Sequence, residues 1–254
     1  MTLRGSLRWL VLCGLWLGLA QPLHAEVLVS AASSLSEVLT VIAARFEAAS
    51  GERVQLNFGA SNTLARQIMA GARVDVFISA DQTQMDRISA DIAPGTRIDL
   101  LTNQLAIAVR RGTSDVKTPR DLLLPSVRRL AIGDPAAVPA GVYARQYLEK
   151  LGLWADLQPK IVPAGSVRLA LAAVESGAAE AAIVYATDVA AAAQTSTAFV
   201  VPAADGPRIV YPGTVVKSTR NAAGARSFLA FLQTAEARSL FTTAGFGVIA
   251  PATR

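Results

Sequence analysis

Histidine and cysteine are almost missing from this sequence of 254 residues, which contains one of each, His24 and Cys13. Both fall within the first 25 residues, which have the pattern of a secretory signal peptide. The rest of the chain therefore lacks the residues for Ser-His-Asp or Cys-His catalysis and for zinc sites built from cysteine and histidine. An enzyme made from it would depend on carboxylates, lysine or tyrosine.

The amino-terminal segment predicts export. Two arginines precede an unbroken apolar run over residues 9–20, and the small residue Ala25 precedes the expected cleavage site. The run is shorter than the roughly 17 to 25 residues of a membrane-spanning helix. We therefore predict that residues 1–25 are a signal peptide cleaved near Ala25. A retained membrane anchor is the alternative.

Charged residues are also few, at 17% of the chain, and they form no long run. The formal net charge is +5, and it falls by two to +3 without the predicted signal peptide, which holds two arginines and no acidic residue. The longest basic runs are the pairs at 110–111 and 128–129, so no binding to nucleic acid is expected. A mildly basic surface favours small anions instead.

Hydrophobic residues make up 52% of the chain, enough to bury the core of one or two domains. Short apolar runs alternate with helical patterns, which predicts α/β units with parallel strands. The predicted strands cover 26–31, 53–58 and 74–78 in a first unit and 130–132, 160–162 and 181–185 in a second. A strand at 105–109 leads out of the first unit, and the segment from 210 onward is long enough to return to it. Two lobes joined by strands are therefore expected.

Three serines stand at the predicted starts of helices that follow strands. Ser34 and Glu37 fit a capping box, while Ser61 and Ser166 fit helix N-caps. In parallel α/β units, ligands bind beyond the carboxyl ends of the strands, which is where these serines lie. Each serine taken alone is more often a cap than a ligand group.

The stretch at 130–143 offers a helix start without a polar side chain. A short apolar run leads to Asp134, and Ala140 and Gly141 then begin a helical pattern. The first N–H groups of a helix lack partners within it, and the helix dipole favours an anion there. Small residues let a ligand approach these N–H groups closely. An ordinary strand-to-helix loop is the plain alternative.

The candidate ligand groups share one property, since each can donate a hydrogen bond and none is charged. They belong to Ser34, Ser61, Ala140, the Ser166–Val167 region and Tyr185. A site made of donors favours a small oxyanion without a proton, because a protonated phosphate would also need an acceptor. Charge-assisted hydrogen bonds would supply the binding energy. We therefore expect a tetrahedral dianion.

One motif points elsewhere. Residues 59–63, Gly-Ala-Ser-Asn-Thr, nearly match the nucleophile elbow of serine hydrolases in a strand-turn-helix context. With no histidine after the predicted signal peptide, Ser61 lacks the usual general base. A histidine-free hydrolase is therefore the less favoured alternative.

Six stretches of the chain resemble the periplasmic molybdate-binding proteins of ABC importers. They are SAASSLSEVL, FGASNTLARQI, DVFISADQ, GDPAAVPAGVYA, SVRLAL and IVYATD, and together they extend over nearly all of the chain after residue 25. The resemblance implies an α/β fold of the type II periplasmic binding protein class, in which two parallel-sheet lobes are hinged by crossing strands. It implies a first lobe from 26–106 and 209–254, and a second lobe from 107–208.

The resemblance also implies a function, which is high-affinity binding of molybdate or tungstate in the periplasm for delivery to the membrane permease of an ABC importer. By position, the oxyanion would be held by the hydroxyl and amide groups of Ser34 and Ser61, the amides of Ala140 and Val167, and the hydroxyl of Tyr185. Molybdenum would bind as this oxyanion through the same residues, so we expect no cofactor. We also expect a monomer without enzymatic activity. Binding of sulfate or another small anion by the same fold is the alternative.

Overall fold

The structure is a computed structural model that describes residues 26–112 and 115–250. The predicted signal peptide and its cleavage site after Ala25 lie at or beyond the edge of these ranges. The strands are β1 (Val27–Ala32), β2 (Val54–Gly59), β3 (Val76–Ile78), β4 (Ile98–Asn103), β5 (Leu105–Arg110), β6 (Leu130–Gly133), β7 (Ile161–Ala164), β8 (Ala181–Tyr185), β9 (Thr195–Val200), β10 (Ile209–Val215) and β11 (Gly247–Val248). The helices are α1 (Ser36–Ser50), α2 (Ser61–Met69), α3 (Gln82–Arg87), α4 (Pro139–Lys150), α5 (Trp154–Leu157), α6 (Val167–Glu175), α7 (Ala186–Ala191), α8 (Ala222–Phe231) and α9 (Ala235–Thr243).

The strands form two sheets, one in each lobe. The first has the order β11-β4-β10-β3-β1-β2, in which β1 is parallel to β2 and β3 while β10 is antiparallel to β3 and β4. The second has the order β7-β6-β8-β5-β9, in which β6 is parallel to β7 and β8 while β5 is antiparallel to β8 and β9. The predicted two-lobed α/β fold is confirmed, and each parallel group is extended by antiparallel strands.

Apart from β11, the antiparallel strands come from the two segments that pass between the lobes. The chain leaves the first sheet after β4, enters the second with β5, and returns between β9 and β10. The sequence does not predict β4 or β9, because only two positions of β4 and one of β9 are fully buried and neither strand has a clear apolar run. The first crossing lies at Gln104, and the lobe boundaries at 106 and 208 stay predictions.

Helix α1 shows how the apolar pattern builds the core of the first lobe. Its buried positions include Leu39, Ile42 and Phe46, which recur at helical spacing on one face. The Phe46 ring packs edge-on against Phe228 of α8 with 5.2 Å between ring centroids. Gly51 ends the helix in the left-handed conformation with φ 74°, which confirms the predicted stop.

None of the helices in the described ranges is both long and apolar enough to cross a membrane.

Ser34 is not the N-cap that the capping-box pattern predicts. It lies in a short 3-10 turn, Ser33–Leu35, and α1 begins at Ser36 without a side-chain cap. The Ser34 hydroxyl is instead within hydrogen-bond distance of the Tyr211 hydroxyl. A partner from strand β10, which is separated from β1 by β3 in the sheet, therefore replaces the local cap.

Ser61 is also not an N-cap, because it is the first residue of α2 and Ala60 precedes it in extended conformation. Its Oγ accepts a hydrogen bond from the Ala80 N–H at 2.9 Å. Ser166 does cap α6 as predicted, since its Oγ accepts from the Leu169 N–H at 3.2 Å. Ser61 thus bonds to a residue that is distant in sequence, whereas Ser166 bonds to the first turn of its own helix.

Candidate ligand site between the two lobes

A small cavity lies between the lobes at the carboxyl ends of the parallel strands. All five sequence-predicted ligand residues line it, namely Ser34, Ser61, Ala140, Val167 and Tyr185. They follow or end the parallel strands of the two sheets, which is the usual place for a ligand in this class of fold. The cavity has a volume of about 10 Å³, which is about the space that one bound water needs and excludes a sugar or a peptide.

Ser61 lines the cavity, and its hydroxyl can donate a hydrogen bond there. A serine hydroxyl has one hydrogen to donate and lone pairs that accept. Because the Ser61 Oγ accepts from the Ala80 N–H, its own hydrogen stays available for a ligand. The partner of Ser61 is a donor and cannot take up a proton, so this contact does not activate Ser61 as a nucleophile.

Tyr185, at the end of β8, has a buried hydroxyl. The residue is 1% exposed, and its Oη makes no hydrogen bond with the described part of the chain. Burial, together with the neighbouring Tyr211 and Tyr143, raises the pKa of the Tyr185 phenol well above its ordinary value. The hydroxyl is therefore a neutral donor. An unsatisfied buried polar group costs about 1 to 3 kcal/mol, which a ligand acceptor would offset.

Ala140 and Val167 contribute backbone N–H groups rather than side chains. Ala140 is the second residue of α4, and Val167 is the first residue of α6. N–H groups at these positions have no partner within their helix and point toward its amino-terminal end. Both residues line the cavity, so the two helix dipoles add partial positive charge to it.

Charged side chains stand next to the cavity rather than in its lining. Arg168 follows Val167, and its Nε forms an ion pair with Asp188 Oδ1 at 2.9 Å rather than a linear hydrogen bond. The same guanidinium pairs with Glu37 of α1, across the two lobes. Burial raises the pKa of the Asp188 carboxyl to about 7, and Arg168 acts in the opposite direction. Two carboxylates thus face the one arginine beside the site.

The sequence does not reveal the residues that contact the predicted ligand residues on the side away from the cavity. Tyr211 on β10 packs edge-on against Tyr185 with 5.8 Å between centroids, and its hydroxyl lies 3.0 Å from the Ser34 Oγ. Asn103, at the end of β4, donates to the same Tyr211 hydroxyl at 3.3 Å. Tyr211 and Ser34 are 177 positions apart, so no local pattern connects them.

In the part of the chain that the structure describes, no group of three or more histidine, cysteine, aspartate or glutamate side chains is placed to hold a metal ion. The cavity offers donors to an anion instead. Its two-lobed frame, its position at the strand ends and its uncharged lining define a solute-binding protein.

Comparison with known proteins agrees with this class. Residues 27–247 match the family of bacterial extracellular solute-binding proteins, and the chain belongs to this family. It is 39% identical over 231 residues to the molybdate-binding protein ModA of Escherichia coli, a match that covers 88% of this chain and 89% of the relative. The resemblance to molybdate-binding proteins predicted from the six stretches is therefore confirmed.

Two solved structures share the fold. The periplasmic molybdate-binding protein of Azotobacter vinelandii superposes with a TM-score of 0.78 at 27% identity, over 89% of this chain and 99% of that one. The sulfate-binding protein SubI of Mycobacterium tuberculosis superposes with a TM-score of 0.80 at 18% identity, over 90% and 88%. At that identity, the second likeness shows the fold alone.

Proposed function

We propose that this protein binds molybdate or tungstate in the periplasm and delivers it to the permease of an ABC importer. The observation that carries the proposal is the buried Tyr185 hydroxyl, which has no hydrogen-bond partner within residues 26–112 and 115–250 and lines the same cavity as the other four donors. The relative in Escherichia coli and the solved structure from Azotobacter vinelandii, both named as molybdate-binding, support the choice of ligand.

The donor set favours a tetrahedral dianion. The hydroxyls of Ser34, Ser61 and Tyr185 can each donate, and the two helix starts add backbone N–H groups. Each donor gains from the full charge on the anion, and hydrogen bonds to charged groups contribute about 1.5 to 3 kcal/mol. Sulfate carries the same charge and is the alternative ligand, supported only by a likeness of fold.

Binding is coupled to the arrangement of the lobes in this proposal. Ser34 and Ser61 come from the first lobe, and Ala140, Val167 and Tyr185 come from the second. An anion that contacts both sets has a higher affinity for the closed arrangement than for an open one, so it shifts the population toward closure. The crossing segments near Gln104 and between β9 and β10 serve as the hinge.

The remaining parts of the proposal concern location and partners. The mature chain begins after cleavage near Ala25 and works as a monomer, and the permease binds its closed form. Capture without catalysis is proposed because the Ser61 Oγ accepts a hydrogen bond from Ala80 and no histidine follows position 24. The anion is thus released unchanged to the permease.

Tyr185→Phe tests the site directly. It removes a hydroxyl that has no hydrogen-bond partner among the described residues, so we expect molybdate affinity to fall by about tenfold or more while the unliganded protein is at least as stable as wild type. Isothermal titration with molybdate gives the affinity, and chemical unfolding without ligand gives the stability. Tyr147→Phe is the matched control, because Tyr147 is buried in the second lobe and does not line the cavity. Wild-type affinity in Tyr185→Phe contradicts the site.

A further inference from the structure

A series of hydrogen bonds leads from Ser34 away from the cavity and into the second lobe. The Ser34 Oγ lies 3.0 Å from the Tyr211 Oη, which lies 3.3 Å from the Asn103 Nδ2. The same Asn103 Nδ2 donates to the Thr187 Oγ1 of α7 at 2.9 Å. The series thus joins a cavity hydroxyl to the crossing segment between the lobes.

The orientation of the Asn103 side chain decides which group donates in each hydrogen bond of the series. The Asn103 Oδ1 accepts from the Gln104 N–H at 2.8 Å, which fixes the side-chain amide with its Nδ2 toward Tyr211. An amide nitrogen can only donate, so the Tyr211 Oη is the acceptor of that bond. Tyr211 is fully buried, and its own hydrogen is left for the Ser34 Oγ. Ser34 therefore accepts from Tyr211 and keeps its hydrogen for the cavity.

Tyr211 holds its hydrogen under all ordinary conditions. Burial is the main cause that raises the pKa of its phenol, and the nearby Asp188 carboxylate acts in the same direction. The Ser34 and Asn103 hydrogen bonds act against this shift but do not reverse it. Tyr211 is consequently a permanent donor to Ser34.

We propose that Tyr211, oriented by Asn103, is a positioning residue that makes Ser34 a hydrogen-bond donor to the bound oxyanion and so disfavours oxyanions that carry a proton. The inference rests on the function proposed above. The Ser61 Oγ likewise accepts a hydrogen bond, from the Ala80 N–H. Both first-lobe hydroxyls therefore keep their hydrogens for the ligand. The O–H group of hydrogen phosphate needs a hydrogen-bond acceptor, but these two serine hydroxyls act as donors, so binding of hydrogen phosphate is disfavoured.

A double-mutant cycle between Tyr211→Phe and Ser34→Ala tests this inference. We expect Tyr211→Phe alone to lower molybdate affinity by about three- to tenfold, because Ser34 loses the bond that orients its hydrogen. In the Ser34→Ala background we expect Tyr211→Phe to change affinity by less than about twofold, because the group it positions is gone. Isothermal titration of the mature chain with molybdate gives all four affinities, and Tyr147→Phe serves as the control.

A second readout separates positioning from simple structural support. Tyr211→Phe frees a lone pair of Ser34, so the ratio of molybdate affinity to hydrogen phosphate affinity falls relative to wild type. Asn103→Asp replaces the amide nitrogen that donates to Tyr211 with a carboxylate oxygen that accepts from it. The Tyr211 hydrogen then goes to the carboxylate, and the Ser34 hydroxyl donates to Tyr211 instead of to the ligand. Asn103→Asp is expected to weaken molybdate binding more strongly with Ser34 present than in Ser34→Ala.

The outcomes separate the two proposals. Equal losses from Tyr211→Phe with and without Ser34, or an unchanged affinity ratio, overturn the role of Tyr211 while the wild type still binds molybdate. Absence of molybdate binding by the wild type overturns the proposed function and this inference with it. If Tyr211→Phe does not fold, the Asn103→Asp cycle with Ser34→Ala decides between the same outcomes.

Discussion

Replacing Arg168 with methionine is expected to lower the free energy of unfolding by about 3 kcal/mol at pH 9, because it removes the partly exposed cation that pairs with a fully buried carboxylate. Asp188 is fully buried, and its Oδ1 lies 2.9 Å from the Arg168 Nε. Methionine keeps much of the apolar stem of arginine and removes its charge. The variant therefore leaves a buried carboxylate without a cation.

The size of this loss depends on pH. Burial raises the pKa of Asp188 in the native protein to about 7, whereas an unfolded aspartate titrates near 3.9. The native state thus holds a proton that the unfolded chain has released, and this group's contribution to stability falls as pH rises from about 4 to 7. Without Arg168 the native pKa is higher still, so the fall continues above pH 7. The difference between variant and wild type is consequently small at pH 5 and large at pH 9.

Chemical unfolding at pH 5 and pH 9 measures this difference. Adding Asp188→Asn to Arg168→Met is expected to restore most of the stability lost at pH 9, because no buried charge is left. Glu37→Gln is the matched control, since it removes only the more exposed partner of Arg168 and is expected to cost less than about 1 kcal/mol. Equal losses for Arg168→Met at the two pH values contradict the assigned role of Asp188.

Gly141→Ala is expected to have a comparably large effect, because α4 begins in direct contact with the end of β6. A Cβ at Gly141 would lie 1.9 Å from the Gly133 oxygen and 2.4 Å from the Gly133 carbonyl carbon. These atoms belong to the backbone of a buried strand, so only a shift of the helix start relieves the overlap. We expect a loss of about 3 kcal/mol in the free energy of unfolding.

The same shift moves the Ala140 N–H away from the cavity. Gly141→Ala is therefore expected to weaken molybdate binding by at least about tenfold, which corresponds to about 1.4 kcal/mol. Gly165→Ala is the control, because a Cβ there meets Leu169 Cδ1 at an ordinary distance of 3.6 Å. Thermal unfolding and titration of both variants measure the effects. A Gly141→Ala protein as stable as Gly165→Ala contradicts the packing described for α4.

The sequence predicts the place of the site well, because strand-end geometry makes distant segments converge. Ser34, Ser61, Ala140, Val167 and Tyr185 come from separate strand-to-helix units, yet parallel pairing brings their helix starts to one cavity. Their roles as ligands stay predictions. The periodic apolar pattern likewise locates helices such as α1, whose stop at Gly51 is a local property of the chain.

The sequence does not predict contacts that depend on packing between distant segments. The serine-to-glutamate spacing at Ser34 predicts a capping box, but Tyr211 from a remote strand takes the serine hydroxyl. Asp188 looks like an ordinary residue near a helix start, and only the fold shows that it is buried beside Arg168. Strand β9 is not predicted from the sequence, because most of its positions are partly or fully exposed and it has no clear apolar run.

Isothermal titration of the mature chain, residues 26–254, with molybdate, tungstate and sulfate in separate experiments tests the proposed function most directly. We expect tight one-to-one binding of molybdate and tungstate, which present the same charge and nearly the same shape, and weak or undetectable binding of sulfate. Sulfate binding as tight as molybdate binding contradicts the proposed ligand while leaving the donor site in place. No binding of any of the three contradicts the site as a receptor for tetrahedral dianions.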